Sequence, residues 1–270
     1  MGNEPSKTKH GTTSAASSSR PTATLPFSLK SGPSTALVQR HLDNAKKTRV
    51  LQLRGCGMKT VPNPLEDTVS FLRTLDISQN KIKELPQFFT KFSMLKQLSI
   101  SENRLTELPD EIGNLKTLEV LNVSFNELLT LPDTLVGCAS LKTLTATNNK
   151  FQTFPVVIAH LPNVESVDLS GNFIERIPAE ISTLHATELN LNRNQLNSID
   201  TSLAKCRNLK VLRVEENCLQ KKEFSKDILE ESRLSLIAYA GNLFQDKDFQ
   251  DLPGYEKYQE RFTATKRKGV

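Results

Sequence analysis

Apolar residues recur along this chain in one spacing. Leu72, Leu75 and Ile77 precede Asn80 in the frame L-x-x-L-x-I-x-x-N. The frame returns as Leu95, Leu98 and Ile100 before Asn103, and as Leu118, Leu121 and Val123 before Asn126. The asparagines form a ladder. Asn80, Asn103, Asn126, Asn149 and Asn172 are 23 residues apart, Asn194 follows at 22, Asn217 at 23 and Asn242 at 25. Alternation of period two ahead of each asparagine predicts a short strand with alternate side chains in the core. An apolar residue two past the asparagine follows in the regular units (Ile82, Leu105, Leu128, Phe151, Ile174). Then comes a hydrophobic-proline pair: Leu85-Pro86, Leu108-Pro109, Leu131-Pro132, Phe154-Pro155 and Ile177-Pro178. Proline fixes φ and lacks an N–H, so it suits a 3₁₀ or irregular segment and opposes a long helix there. So short a unit cannot bury its own apolar face. It must stack on its neighbours.

A fixed period in the twenties with L-x-x-L-x-L-x-x-N resembles the leucine-rich repeat. The fold class this implies is α/β: a leucine-rich-repeat solenoid of about nine units. Such a horseshoe carries a parallel β-sheet on its concave face and short 3₁₀ or irregular segments on its convex face. The ladder side chains have amide donors and acceptors, and are expected to satisfy backbone groups left unpaired where the chain leaves each strand. Cys56 takes the asparagine position in a degenerate first unit that opens Val50-Leu51-Gln52-Leu53. Asp200 and Glu223 replace the proline in the last two regular units.

The ends differ from this body. Residues 1–34 are rich in Ser, Thr, Gly, Pro and Lys, and are expected to form a disordered arm. From Ser34, Leu37, Val38, His41, Leu42 and Ala45 lie on one helical face. Residues 35–49 are therefore a predicted cap helix, with Ser34 or Thr35 as N-cap. The solenoid spans 50–244, with a short outer helix expected over Ser225–Glu231. Residues 245–270 form a C-terminal cap and basic tail, whose Phe249, Tyr255 and Tyr258 are expected to close the last edge.

Charge changes the picture at the ends. Of the net +5, residues 1–49 contribute +6 and residues 253–270 contribute +3, which leaves −4 on the repeats. A nucleic-acid binder should be basic along its body, so no nucleic-acid partner is expected. Cys56, Cys138, Cys206 and Cys218 are scattered. Cys138 and Cys206 fall where other units carry Leu115, Leu161 and Leu184, so reduced core thiols are expected. Without a signal peptide or a long apolar run, a cytoplasmic monomer is expected.

The first residues, Met1-Gly2-Asn3-Glu4-Pro5-Ser6, match the N-myristoylation pattern with Gly2 as the acylated residue. One myristoyl chain binds membranes with K of about 10⁴ M⁻¹ only. Lys7 and Lys9 would add about 1 kcal/mol each near an anionic leaflet. The expectation is a lipid-anchored protein held peripherally and reversibly on a membrane.

No catalytic motif, metal cluster or cofactor fingerprint stands in the chain, and its four histidines are far apart. Candidate chemistry is therefore the strand surface that faces away from the core. Between the second and third core residues one column reads Asp76, Ser99, Asn122, Thr145, Asp168, Asn190 and Arg213. Before each asparagine another reads Gln79, Glu102, Phe125, Asn148, Gly171, Arg193 and Glu216. Small, polar and mixed-charge side chains suit a protein partner, with Phe125 and Val120 as a central apolar anchor.

Three stretches carry a closer resemblance. Ala36-Leu37-Val38-Gln39-Arg40-His41-Leu42, Leu212-Arg213-Val214-Glu215-Glu216-Asn217-Cys218-Leu219 and Gly254-Tyr255-Glu256-Lys257-Tyr258-Gln259-Glu260-Arg261-Phe262-Thr263-Ala264-Thr265-Lys266 are similar to intracellular leucine-rich-repeat proteins over about residues 35–268. The resemblance implies a small, lipid-anchored, non-enzymatic adaptor and brings no catalytic residues. Here some 30 residues separate the acylation site from the cap, which lengthens the tether. The hydrophobic-Pro spacing further resembles Ras-group members, which points to a small GTPase or its regulator as partner. The alternatives are a regulatory subunit of an enzyme such as a phosphatase, and an enzyme with an unrecognised site.

Overall fold

The structure, a computed structural model, describes residues 32–267. Gly2, Lys7, Lys9 and the expected arm up to residue 31 lie outside the described residues, as do residues 268–270.

The body starts with helix α1, Thr35–Thr48. Ser34 caps it by accepting the Leu37 N–H at 3.3 Å, and Arg49 ends it in the left-handed region. Its buried stripe is Val38, Leu42 and Ala45, which joins the core of the first coils. His41 is only half-buried beside that stripe.

Eleven short strands follow in chain order. They are β1 (Val50–Gln52), β2 (Thr74–Asp76), β3 (Gln97–Ser99), β4 (Val120–Asn122), β5 (Thr143–Thr145), β6 (Ser166–Asp168), β7 (Arg176–Ile177), β8 (Glu188–Asn190), β9 (Ser198–Ile199), β10 (Val211–Arg213) and β11 (Leu236–Ala238). Nine of them form one parallel sheet in the order β1-β2-β3-β4-β5-β6-β8-β10-β11. Equivalent residues pair across it: Leu75 faces Leu98, Leu98 faces Leu121 and Leu121 faces Leu144. The central residue of each strand is buried. With one face so filled, a one-residue slip would place that row on the surface, and this fixes the register.

Each regular proline precedes a 3₁₀ segment. Pro86, Pro109, Pro132, Pro155 and Pro178 are extended and lead into Gln87–Lys91, Asp110–Asn114, Asp133–Gly137, Val156–His160 and Ala179–Thr183. Where Asp200 stands in for proline, its carboxylate accepts the Ser202 N–H at 2.9 Å and caps Thr201–Lys205 instead. In the next unit a short 3₁₀ segment, Lys221–Glu223, precedes α2, Lys226–Glu231, which is capped by Ser225. The small β7–β9 pair lies off the main sheet. Its inner residues, Ile177 and Ile199, are β-branched where the four units from Asn80 to Asn149 carry Leu or Phe, which favours extended backbone.

The core is a column of equivalent residues. Leu51, Leu75, Leu121, Leu144, Val167, Leu189 and Leu212 are fully buried, as is Cys138, and Cys206 nearly so. The sulfur of Cys138 lies 3.2 Å from the Ile112 carbonyl, and that of Cys206 lies 3.0 Å from the Ile181 carbonyl. Burial pushes these thiols up to about 11 and about 12. They are free, as are Cys56 and Cys218.

The C-terminal edge is closed by α3 (Asp246–Gln250) and α4 (Tyr255–Arg267). Phe249 is buried edge-on to Phe224 at 5.2 Å and to Tyr258 at 5.8 Å. The basic end read from the sequence as a tail is helical as far as Arg267. Among the described residues no helix is long and apolar enough to cross a membrane. The described residues form a solenoid of leucine-rich-repeat type, with the sheet along one face and the 3₁₀ segments along the other.

Candidate interaction surface on the sheet face

The asparagine ladder builds this surface from beneath. The Asn126 Nδ2 donates to its own coil at Val123 O (3.0 Å) and to the preceding coil at Ile100 O (3.0 Å). Its Oδ1 accepts the Leu105 N–H of that preceding coil at 3.0 Å. The same bridge recurs at Asn80, Asn103, Asn149, Asn172, Asn194, Asn217 and Asn242. All but Asn242 are buried. Each amide therefore ties two coils together and satisfies backbone groups on both sides of the turn. Cys56 retains only a local contact, its sulfur lying 3.6 Å from Arg54 O.

The ladder also dictates an unusual backbone beside it. The residue before each asparagine lies in the left-handed region: Gln79 (φ 56°), Glu102 (54°), Phe125 (54°), Asn148 (52°), Arg193 (56°) and Glu216 (54°), with Gly171 at 69° and Gly241 at 77°. For most side chains this conformation costs roughly 1–2 kcal/mol. Asn148 and Gly171 tolerate it best, and a bulky aromatic such as Phe125 is an outlier there. Phe125 is nevertheless 54% exposed. The turn lifts its ring off the core.

The sequence-predicted strand column, Asp76, Ser99, Asn122, Thr145, Asp168, Asn190 and Arg213, is half-buried along one face of the sheet. Several of these groups are engaged within the sheet. Asp76 accepts the Ser78 N–H at 2.9 Å and its hydroxyl at 2.5 Å. Asp168 does the same with Ser170, at 2.9 and 2.7 Å, and also accepts from Asn190 Nδ2 at 3.1 Å. Asn122 and Asn190 accept the N–H two residues on. These carboxylates and amides are therefore turn-formers before they are contacts.

Charge sits at the two ends of the surface. At one end Arg54 Nε donates to Gln79, and Gln79 donates to Glu102 at 3.0 Å. At the other, Arg193 meets Glu216 through two bonds of 3.1 Å, and Arg213 meets Glu188 at 2.9 Å. The Glu216 carboxylate holds the Arg193 guanidinium above its ordinary value. Such exposed pairs contribute little to stability, but they spend the charges locally. Between them lie the uncharged Val120, Phe125, Thr143, Thr145, Asn148, Ser166 and Gly171, with Asp168 the one carboxylate of the strand column among them. A Cβ on Gly171 would meet Asn148 Oδ1 at 2.6 Å, so the glycine leaves room for that amide. An apolar centre with a polar rim is the anatomy of a protein-binding patch.

Among the described residues no three His, Cys, Asp or Glu side chains come together as a metal site. His160 and His185 stand outside the sheet face: His160 ends a 3₁₀ segment, with Nδ1 3.5 Å from the Thr183 hydroxyl, and His185 precedes strand β8, outside the described strands.

Comparison with known proteins agrees with this architecture. A family model described as leucine rich repeat matches residues 93–151, and a second of the same description matches residues 71–92. A solved leucine-rich-repeat protein of Leptospira interrogans is 26% identical, covering 78% of this chain and 58% of its own, with a TM-score of 0.59. The plant peptide hormone receptor RGFR1, solved in complex with RGF2, is 25% identical over 72% of this chain and 31% of its own, with a TM-score of 0.57. The leucine-rich-repeat domain of APL1B is 20% identical over 81% of this chain and 66% of its own, with a TM-score of 0.62. The chain thus spans just over half of the leptospiral protein and about a third of the plant receptor.

Proposed function

We propose, from a chain whose coils are leucine-rich repeats, that it is a non-enzymatic adaptor that binds a protein partner on its concave, sheet-lined face. The observation that carries this reading is Phe125, an exposed aromatic kept in a left-handed backbone at the uncharged centre of the sheet face. Every coil adopts this backbone, so the aromatic identity of residue 125 and its exposure carry the argument, because aromatic anchors dominate binding energy. That the plant receptor was solved in complex with RGF2 supports the partner-binding reading in kind. The hydrophobic-Pro spacing favours a small GTPase or its regulator as the class of partner.

The second half of the proposal is a membrane tether. Myristoylated Gly2, with Lys7 and Lys9, attaches the chain reversibly to a cytoplasmic membrane surface. The cap, the stretch at 212–219 and the C-terminal run resemble leucine-rich repeat-containing protein 57, and this supports a small, lipid-anchored, non-enzymatic repeat protein. Two experiments test the parts separately. Gly2→Ala shifts the protein to the soluble fraction, and unchanged membrane recovery removes the tether from the account. Affinity capture with the intact chain recovers a partner that Phe125→Asp fails to recover, and equal yields remove the sheet face.

A further inference from the structure

A cavity of about 510 Å³ opens where α4 crosses the start of β10 and the loop before β11. Its cationic lining is Lys210, Arg233 and Arg261, and no Asp or Glu lines it. On a repeat body carrying −4, this concentration of positive charge is unexpected.

The repeat period shows why the charge is uncompensated. Lys210 stands seven residues before Asn217, a position equivalent to Lys96, Glu119, Lys142 and Glu165 in earlier coils. There each lysine is answered by the next coil: Lys96 pairs with Glu119 at 2.5 Å and Lys142 with Glu165 at 3.6 Å. The neighbours of Lys210 in that column are Thr187 and Ser235. Among the described residues neither Lys210 nor Arg233 forms an ion pair.

Arg261 is held differently. Its Nε donates to Leu234 O at 2.9 Å, Nη1 to Glu230 O at 3.1 Å and Nη2 to Leu229 O at 2.5 Å. It therefore fastens α4 to the end of α2 and presents a fixed guanidinium to the cavity wall. The hydroxyls of Ser235 and Thr265 line the same space. A fixed guanidinium and two cations without ion pairs, with hydroxyl donors and no carboxylate in the lining, are what recognises a phosphate.

We propose that this cleft binds a phosphate group, supplied either by a soluble phosphate or by a phospholipid headgroup. The inference is independent of a partner on the sheet face and of acylation at Gly2. The test uses the full chain produced without acylation. Inorganic phosphate is titrated calorimetrically, and in parallel the protein is sedimented with phosphatidylcholine vesicles containing phosphatidic acid. Saturable binding is expected in at least one arm, weakened tenfold or more by Lys210→Ala with Arg233→Ala, and within twofold of the original for Lys205→Ala, an exposed lysine outside the cavity. Lys210→Gln is the milder variant and weakens binding in the same direction. Binding of free phosphate identifies a soluble source, and binding to vesicles alone identifies a lipid source. Absence of saturable binding in both arms, or equal affinity of the double variant and the original, overturns the proposal.

Discussion

The hydroxyl of Tyr258 accepts the backbone N–H of Ile237 at 3.0 Å, across 21 residues of sequence. Ile237 is the central residue of β11, the last strand of the sheet. In the interior each strand is hydrogen-bonded to one on either side, but among the described residues no strand follows β11. An open, unpaired edge invites pairing with another chain. Helix α4 lays Tyr258 against that edge and supplies an oxygen where the next coil would have had a carbonyl.

Tyr258→Phe keeps the ring and removes the acceptor. A buried N–H left unpaired costs about 1–3 kcal/mol. The expected result is a lowered melting temperature and faster hydrogen exchange at the Ile237 amide, with the far-terminal coils unaffected. Unchanged exchange at Ile237 would show that the edge is covered without this bond.

Asn126→Ala removes one bridge of the ladder. The Leu105 N–H loses its partner, while the Ile100 carbonyl keeps Asn103 Nδ2 at 3.0 Å. One buried N–H left unpaired costs about 1–3 kcal/mol in denaturant unfolding. A change below about 1 kcal/mol would mean the coils do not depend on the bridge.

The neighbouring residue behaves in the opposite way. Phe125→Gly relieves a left-handed backbone but adds freedom to the unfolded chain, and these effects offset to within about 1 kcal/mol. Stability is therefore expected to hold while partner binding is lost. A large destabilisation would mark Phe125 as structural after all.

Alkali should loosen the core before it breaks the surface. The Cys138 and Cys206 thiols hold their protons more tightly folded than unfolded, because burial raises them from 9.0 to about 11 and about 12. Their contribution is complete below pH 9.0 and is lost as pH climbs through about 11 and 12. Unfolding midpoints measured from pH 8 upward should fall across that window, and Cys138→Val with Cys206→Val should flatten the fall. At neutral pH a maleimide should label Cys218, which is exposed, and spare both core thiols until the chain is unfolded.

Much of this molecule is legible in its period. Leu75, Leu98, Leu121 and their equivalents declare a buried column because each sits in the same place relative to its asparagine. The cap helix and its Ser34 cap follow from ordinary helix signals. What the asparagines do between coils is less legible, since a bridge from Asn126 to Ile100 and Leu105 depends on stacking rather than on local spacing. The left-handed turn was signalled by Gly55, Gly171, Gly241 and Asn148 in a column otherwise filled by residues that avoid it. The β7–β9 pair rests on two isoleucines exchanged for leucine, a small preference that packing had to decide. Asp76 and Asp168 read as open contacts, yet each is folded back on a serine two residues later. Lys210 was detectable in principle, as the lysine whose column supplies no glutamate in the next coil.

The central claim is that the uncharged middle of the sheet face holds a protein partner. A photoreactive phenylalanine analogue at position 125, and separately at Val136 on an outer 3₁₀ segment where the side chain is also exposed, tests it most directly in the full chain in cells. The account predicts a discrete cross-linked adduct from position 125 and none from position 136. Adducts from position 136 alone, or equally from both, would contradict it.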